Sequence, residues 1–324
     1  MLDSKRHILL TGATGFVGTG IARRIEKDCN FKLRVIVRRN VEFSSETEVI
    51  FADSFADDIA IPNVLKHVDV LIHSAARVHV MKDDASDPLA EYRKANVEST
   101  LKLAKMAANA GVRRFIFISS IKVNGEATTD GQKYTAGDKP APVDAYGISK
   151  MEAEQGLLEI ASKTNMDVVI IRPVLVYGPG VKANFHNMMR WLNKQIPLPF
   201  GAIHNQRSIL SLDNLVDLVI VCIDHPNASN QIFLASDGLD ISTSELLKGI
   251  SKSLNKPSLL IPIPEGIIIF LASLVGRASF ATRLCGSLQV DISKTQNLLN
   301  WTPPVKTGDA LKNTAEHYLK NISS

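Results

Sequence analysis

The stretch His7-Ile8-Leu9-Leu10-Thr11-Gly12-Ala13-Thr14-Gly15-Phe16-Val17-Gly18 decides the fold. Its first four residues form a short apolar strand, and the apolar spacing from Phe16 to Glu26 predicts a helix. Three glycines fall in register between them, in the order strand, turn, helix that gives such a motif meaning. Gly12 permits a tight turn, Gly15 lets backbone N–H groups approach a pyrophosphate, and Gly18 lets the helix pack closely on the strand. The spacing is Gly-x-x-Gly-x-x-Gly and not Gly-x-Gly-x-x-Gly.

Outward from this turn the pattern alternates strand and helix. Further strands are expected at Leu33 to Val37, Glu48 to Ala52, Val70 to His73, Phe115 to Ser119 and Val168 to Arg172. Long helices are expected at Glu91 to Ala110 and Ala145 to Ser162. Strands alternating with helices of this length imply an α/β protein with a Rossmann-type, doubly wound parallel sheet. Such sheets bind ligands at the carboxyl ends of their strands. Proline and glycine density rises after Pro173, so a smaller, interleaved substrate-binding lobe is expected. The dinucleotide-binding domain is assigned to residues 1–176, with 206–236 returning to it through a helix at Asp213 to Asp224 and a strand at Gln231 to Ala235. The smaller lobe takes 177–205 and 237–324.

The chemistry is carried by Tyr146 and Lys150, in Tyr-Gly-Ile-Ser-Lys. Positions four apart share a helix face, so a phenol and an ammonium stand side by side. The ammonium is expected to favour the phenolate and draw the tyrosine toward working pH. Such a tyrosine can exchange a proton with a sugar or alcohol hydroxyl while hydride moves to or from a nicotinamide. Arg38 and Arg39 follow the second strand, where an acid would accept hydrogen bonds from the adenosine 2′-hydroxyl. A guanidinium there can pair with a 2′-phosphate, so NADP is favoured over NAD; the competing reading is a solvated loop.

The glycine turn, Ser119-Ser120 ending an apolar strand, and the Tyr/Lys pair, in this order, resemble the extended short-chain dehydrogenase/reductase family, the NAD-dependent epimerase/dehydratase group. The resemblance runs over nearly the whole chain, to about Trp301-Thr302-Pro303-Pro304. It implies catalytic roles for Ser120, Tyr146 and Lys150, with Ser120 holding the substrate oxygen. On the cofactor it implies Gly12, Thr14, Gly15, Phe16, Val17 and Gly18, Asp53 on the adenine, Ser54, Ala75 and Ala76, Asn96 and Pro173. On the substrate it implies Lys122, Tyr177, Asn184 and Arg207, the last as a clamp on a nucleotide diphosphate, with walls for the base at Phe185 to Trp191 and Leu198 to Phe200. Leu175 departs from the asparagine many members place on the substrate phosphate. Dehydratases of the group carry Asp-Glu after the serine; Ile121 and Lys122 stand there, which removes dehydration. The run Ser119 to Glu126 is most similar to bacterial surface-polysaccharide (lipopolysaccharide) enzymes, the UDP-N-acetyl-quinovosamine 4-ketoreductases and the UDP-glucose 4-epimerase-like enzymes. The resemblance thus implies an oxidoreductase working at C4 of a UDP-sugar. Net reduction of UDP-2-acetamido-2,6-dideoxy-4-hexulose is expected first and epimerisation of a UDP-hexose second. A dinucleotide sensor without chemistry is a third reading, and a homodimer through the two long helices is also implied.

Composition agrees. The chain has 324 residues, 45% apolar and 22% charged, with a formal net charge of +4, ordinary values for a globular protein. No basic stripe with interleaved aromatics points to nucleic acid. Cys29, Cys222 and Cys285 are odd in number and lack metal-type spacing, so a reducing, cytoplasmic setting is expected. His73 and His79 read as structural, and no metal is expected. The polar start runs straight into a strand, with no room for a signal peptide. The apolar run from Ile261 to Val275 is interrupted by Pro262, Pro264 and Glu265 and is too short to span a membrane. A buried helix of the smaller lobe is expected there, ahead of a membrane-surface contact.

Overall fold

The computed structural model of the chain describes residues 5–39, 41–52, 61–78, 87–129, 131–274, 276 and 278–323. The first half runs β1 (Arg6–Thr11), α1 (Phe16–Glu26), β2 (Phe31–Val37), β3 (Glu48–Phe51), α2 (Ile61–Val64) and β4 (Val70–His73). It continues with α3 (Pro88–Tyr92), a π-helical segment (Arg93–Glu98), α4 (Ser99–Asn109), β5 (Arg114–Ile118) and α5 (Ala145–Lys163). The second half runs β6 (Asp167–Pro173), β7 (Leu175–Tyr177), α6 (Ala183–Asn193), β8 (Arg207–Ser211), α7 (Leu212–Asp224), β9 (Gln231–Ala235) and β10 (Asp240–Ile241). It ends with α8 (Thr243–Ser253), α9 (Glu265–Leu274), α10 (Ala278–Cys285), α11 (Ser293–Leu299) and α12 (Thr307–Ser323).

Seven strands form one sheet in the order β3-β2-β1-β4-β5-β6-β9, and every pairing in it is parallel. Strand side chains alternate between faces, and the core divides accordingly. Ile8, Leu10, Ile116 and Ile171 face α1 and α7, whose Ile21, Ile25, Leu215 and Val219 complete one layer. Leu9, Leu71, Phe115, Phe117 and Ile170 face α4 and α5, met by Leu103, Ala107, Ala153 and Leu157. Both faces are covered, as a parallel sheet requires. The chain leaves β1 toward β2 on one side and returns as β4 on the other, so the crevice at the carboxyl ends of β1 and β4 is the topological switch point.

A three-stranded sheet, β10-β8-β7, belongs to a smaller body. Its core joins Tyr177, Phe185, Met189 and Ile209 to Leu246, Ile250, Leu311 and Tyr318. β8 thus pairs with β7 and β10, while β9 returns to the main sheet beside β6. One element departs from expectation. α9 exists as a helix, but none of its residues is buried.

Candidate active site

The turn after β1 is built on two close approaches. Gly12 has φ +75°, and a Cβ there would lie 2.5 Å from the backbone nitrogen of Ala75. A Cβ on Gly18 would lie 2.0 Å from the carbonyl oxygen of Gly12. The turn, the start of α1 and the loop after β4 therefore sit together at the switch point, and any side chain would pry them apart. Gly15 is the residue before the first turn of α1, its N–H donating to the Gly12 carbonyl at 2.9 Å. That first turn carries no acidic residue, so no carboxylate on the turn itself offsets the helix N-terminus as an anion site. Thr14 and Gly15 are exposed, and Phe16 and Val17 are half-buried.

Asn96 organises the opposite wall. It is buried, accepts the Arg77 N–H at 2.8 Å, and donates to the Arg77 carbonyl at 3.1 Å and to Ser149 Oγ at 3.0 Å. The π-helical segment breaks the regular spacing of the long helix at this point, and such bulges concentrate where a side chain must be re-aimed. Asn96 thereby ties the loop holding Ala75 and Ala76 to α5. His73 is buried between Thr11 Oγ1 at 2.6 Å and Thr100 Oγ1 at 2.9 Å, and its ring stacks on Phe117. Burial, aided by the Lys150 charge, lowers it to about 3, so it is a neutral structural histidine.

Tyr146 and Lys150 stand on the first turns of α5, whose start is set by Asp144. The Asp144 carboxylate accepts the Gly147 N–H at 2.7 Å, a cap worth about 1 kcal/mol. Ser120 follows β5 and accepts the Lys122 N–H at 3.2 Å; its hydroxyl lies by the Tyr146 phenol and favours its ionised form. Ser120, Tyr146 and Lys150 thus meet at the carboxyl end of β5. Burial raises the Tyr146 phenol well above its ordinary range; the Asp144 charge and Tyr92 add to this, and the Ser120 hydroxyl opposes it. The expected drop through Lys150 is not present. A buried ammonium must find an acceptor, and Lys150 Nζ finds the Ile118 carbonyl at 2.8 Å, 4.0 Å above the Phe117 ring. Burial lowers Lys150 to about 7, partly offset by Glu154.

Beneath this pair lies a buried network that the sequence reading missed. Arg172 donates through Nε and Nη2 to Glu154 and through Nη1 to Asn124 Oδ1 at 2.9 Å, while Ser119 Oγ donates to Glu154. A signal was available: Glu154 stands four residues after Lys150 and eight after Tyr146, on the same helix face.

On the substrate side several expected residues are already engaged. Lys122 Nζ pairs with Glu126 at 3.0 Å and with Asp144, because it lies beside the α5 cap. Tyr177 is fully buried, stacked on Phe185, and donates to Asp237 Oδ2 at 2.9 Å, so it serves the core of the smaller body. Phe185 is also core, whereas Asn184 is exposed at the start of α6. Arg207 Nη1 donates to the carbonyls of Arg283 at 2.7 Å and Gly286 at 2.9 Å, tying down the end of α10. Arg38 and Arg39 are exposed just beyond β2, and Pro173 closes β6 opposite Ala235. Asp53, Ser54 and His79 lie outside the described residues. Among the described residues there is no group of three or more His, Cys, Asp or Glu able to hold a metal.

Residues 8–235 match the model of the NAD dependent epimerase/dehydratase family. The chain belongs to that family. Among curated relatives, a UDP-glucose 4-epimerase of Vibrio cholerae is 46% identical over 97% of this chain and 96% of its own length. An N-acetyl-alpha-D-glucosaminyl-diphospho-ditrans,octacis-undecaprenol 4-epimerase of Escherichia coli O157:H7 is 26% identical over 90% and 89%. Among solved structures, the UDP-glucuronic acid 4-epimerase of Bacillus cereus in complex with NAD aligns with a TM-score of 0.79 at 20% identity, covering 97% of this chain and 96% of that one. As an epimerase/dehydratase family member, the chain owes its glycine turn and seven-stranded sheet to the same architecture.

Proposed function

We propose that this chain is a sugar-nucleotide 4-epimerase working on a UDP-hexose with NAD, in the cytoplasm, as a homodimer. The observation that carries the reading is near-complete coverage of a curated UDP-glucose 4-epimerase at 46% identity, together with the meeting of Ser120, Tyr146 and Lys150 at the carboxyl end of β5, on the same edge of the parallel sheet as the glycine turn after β1. The reading places epimerisation ahead of net reduction, reversing the order expected from the sequence.

The glycine turn and the uncompensated start of α1 suit a pyrophosphate, and the switch-point crevice suits the rest of a dinucleotide. A nicotinamide bound there would supply a hydride acceptor for the sugar C4. Ser120 hydrogen-bonds the C4 oxygen and holds it within reach of Tyr146. Tyr146 takes the hydroxyl proton as the C4 hydrogen departs with its electron pair, leaving a 4-keto sugar. Tyr146 would hand the same proton back to that oxygen when the 4-keto sugar is reduced again. A phenol raised by burial needs added positive charge to act as a base; Lys150 does not supply it in the dinucleotide-free protein, and we assign it that role only in the dinucleotide-bound one. General acid/base work of this kind contributes about 10²–10⁴-fold.

Net reduction of a UDP-linked 4-keto sugar is the second reading. It is favoured by Arg38 and Arg39, exposed where a 2′-phosphate would lie. The two readings part in one incubation. UDP-glucose and UDP-N-acetylglucosamine, each supplied without added dinucleotide, should yield their C4 epimers under the first. Failure of both to convert, with NADPH consumed by a UDP-4-keto-6-deoxy-hexosamine, would establish the second.

A further inference from the structure

Helix α9 is anchored to the smaller body, yet none of its residues is buried. The strand-like segment before it pairs with the smaller body: Leu198 N–H donates to the Leu259 carbonyl at 2.9 Å, and Ile261 N–H to the Leu198 carbonyl at 2.8 Å. From that anchor the helix presents Ile267, Phe270, Leu271 and Leu274, which are 49%, 62%, 52% and 68% exposed. Positions 267, 270, 271 and 274 follow the i, i+3, i+4, i+7 spacing of one helix face. Ile268, Ile269 and Ala272 turn partly inward. Leu259 and Ile261, 44% and 48% exposed, extend the same apolar character into the preceding segment.

The surrounding charge is one-sided. Between Lys252 and Arg283 the sequence has three basic residues besides Arg283, which Glu126 pairs: Lys252, Lys256 and Arg277, against a single acid, Glu265, in a chain whose net charge is only +4. An exposed stripe of Ile, Phe and Leu flanked by cations combines apolar insertion with attraction to anionic headgroups. A stable protein–protein interface needs about 20–30 residues a side, whereas interfacial insertion needs only such a stripe.

We propose that α9 docks this protein on the surface of an anionic lipid bilayer, lying in the interface with Ile267, Phe270, Leu271 and Leu274 among the acyl chains. No helix among the described residues is long and apolar enough to cross a membrane, so the attachment is peripheral and reversible. It also adjoins the catalytic lip. α9 packs against α10, whose Arg283 pairs with Glu126 at 3.0 Å, and Glu126 also holds Lys122 beside the α5 cap. The proposal stands apart from the reaction assigned above and is tested without it.

The test is co-sedimentation of the full chain with phosphatidylethanolamine/phosphatidylglycerol vesicles and with neutral phosphatidylcholine vesicles, at low and high salt. The wild type should pellet with the anionic vesicles and less so at high salt. Phe270→Glu/Leu274→Glu should weaken this at least tenfold while leaving the circular dichroism spectrum and the urea midpoint unchanged. Phe270→Ser/Leu271→Ser provides the same comparison if added charge perturbs folding. In Phe270→Trp, emission should shift to the blue on adding anionic vesicles. Wild type that stays in the supernatant at low salt, or variants that pellet as wild type does, would overturn the proposal. So would size-exclusion profiles in which the glutamate variant converts a wild-type oligomer to monomer, which would make α9 an interface between copies.

Discussion

Arg172 and Glu154 meet as a forked ion pair under the catalytic end of α5, Nη2 to Oε2 at 2.5 Å and Nε to the two carboxylate oxygens at 3.0 and 3.1 Å. Both side chains are almost wholly excluded from water. The pair ties β6 to α5, receives Ser119 from the end of β5, and places a carboxylate near the Lys150 ammonium.

Removing one partner strands the other. Arg172→Met alone is expected to destabilise the fold by about 3–5 kcal/mol, because an unpaired charge is left buried. Arg172→Met/Glu154→Leu should recover much of that loss. Urea unfolding of the three proteins checks this; a single variant within about 1 kcal/mol of wild type would contradict it.

Tyr146→Phe keeps the ring and deletes the proton carrier. It is expected to lower kcat by at least about a hundredfold while NAD binding is retained, since Tyr146 plays no part in the glycine turn. Turnover near the wild-type rate would remove Tyr146 from the mechanism.

The dinucleotide-free protein should gain stability as pH rises above neutrality. Lys150 sits at about 7 when folded, lowered by burial from an ordinary value of 10.5. Between those values the unfolded chain binds more protons, so stability rises with pH by up to about 1.4 kcal/mol per unit for one proton. His73, lowered to about 3 from 6.5, has the same sign: its contribution is complete above 6.5 and is lost as pH falls toward 3. Lys150→Met should flatten the rise between pH 7 and 10 and keep most of the acid side, which the burial of His73 sets first and the Lys150 charge second. An unchanged alkaline slope in that variant would contradict the assignment.

The exposed arginines after β2 give a cofactor test. With NAD as cofactor, Arg38→Asp should leave NAD(H) affinity within a few-fold of wild type and weaken NADP(H) at least tenfold, by placing a carboxylate against a 2′-phosphate. Titration of both forms decides; wild type strongly selective for NADP(H) would favour the reductase reading.

How far the sequence carried these conclusions depends on where each partner lies. The glycine turn, the strands and the Tyr146/Lys150 face are local patterns, so their periods are legible directly. Asn124, Glu154 and Arg172 meet only because β5 pairs with β6 and α5 crosses them, a tertiary event that no local period encodes. Lys122 and Arg207 have the residue types that suit a phosphate or a sugar, yet the Asp144 cap and the end of α10 claim them first. In α9 the apolar run was readable as a helix. Its burial was not, since hydrophobicity all round a helix ordinarily marks a core position and composition alone does not say what covers it.

The central claim is that one sugar gives up its C4 hydrogen in this site and takes the same hydrogen back on its other face. The direct measurement uses UDP-glucose or UDP-N-acetylglucosamine carrying deuterium at C4, incubated with the protein and no added dinucleotide, with the product read by proton NMR and mass. The account predicts the C4 epimer with deuterium retained at C4, abolished in Tyr146→Phe. Loss of the label from the epimer, or no epimer together with stoichiometric consumption of reduced cofactor by a 4-keto sugar, would contradict it.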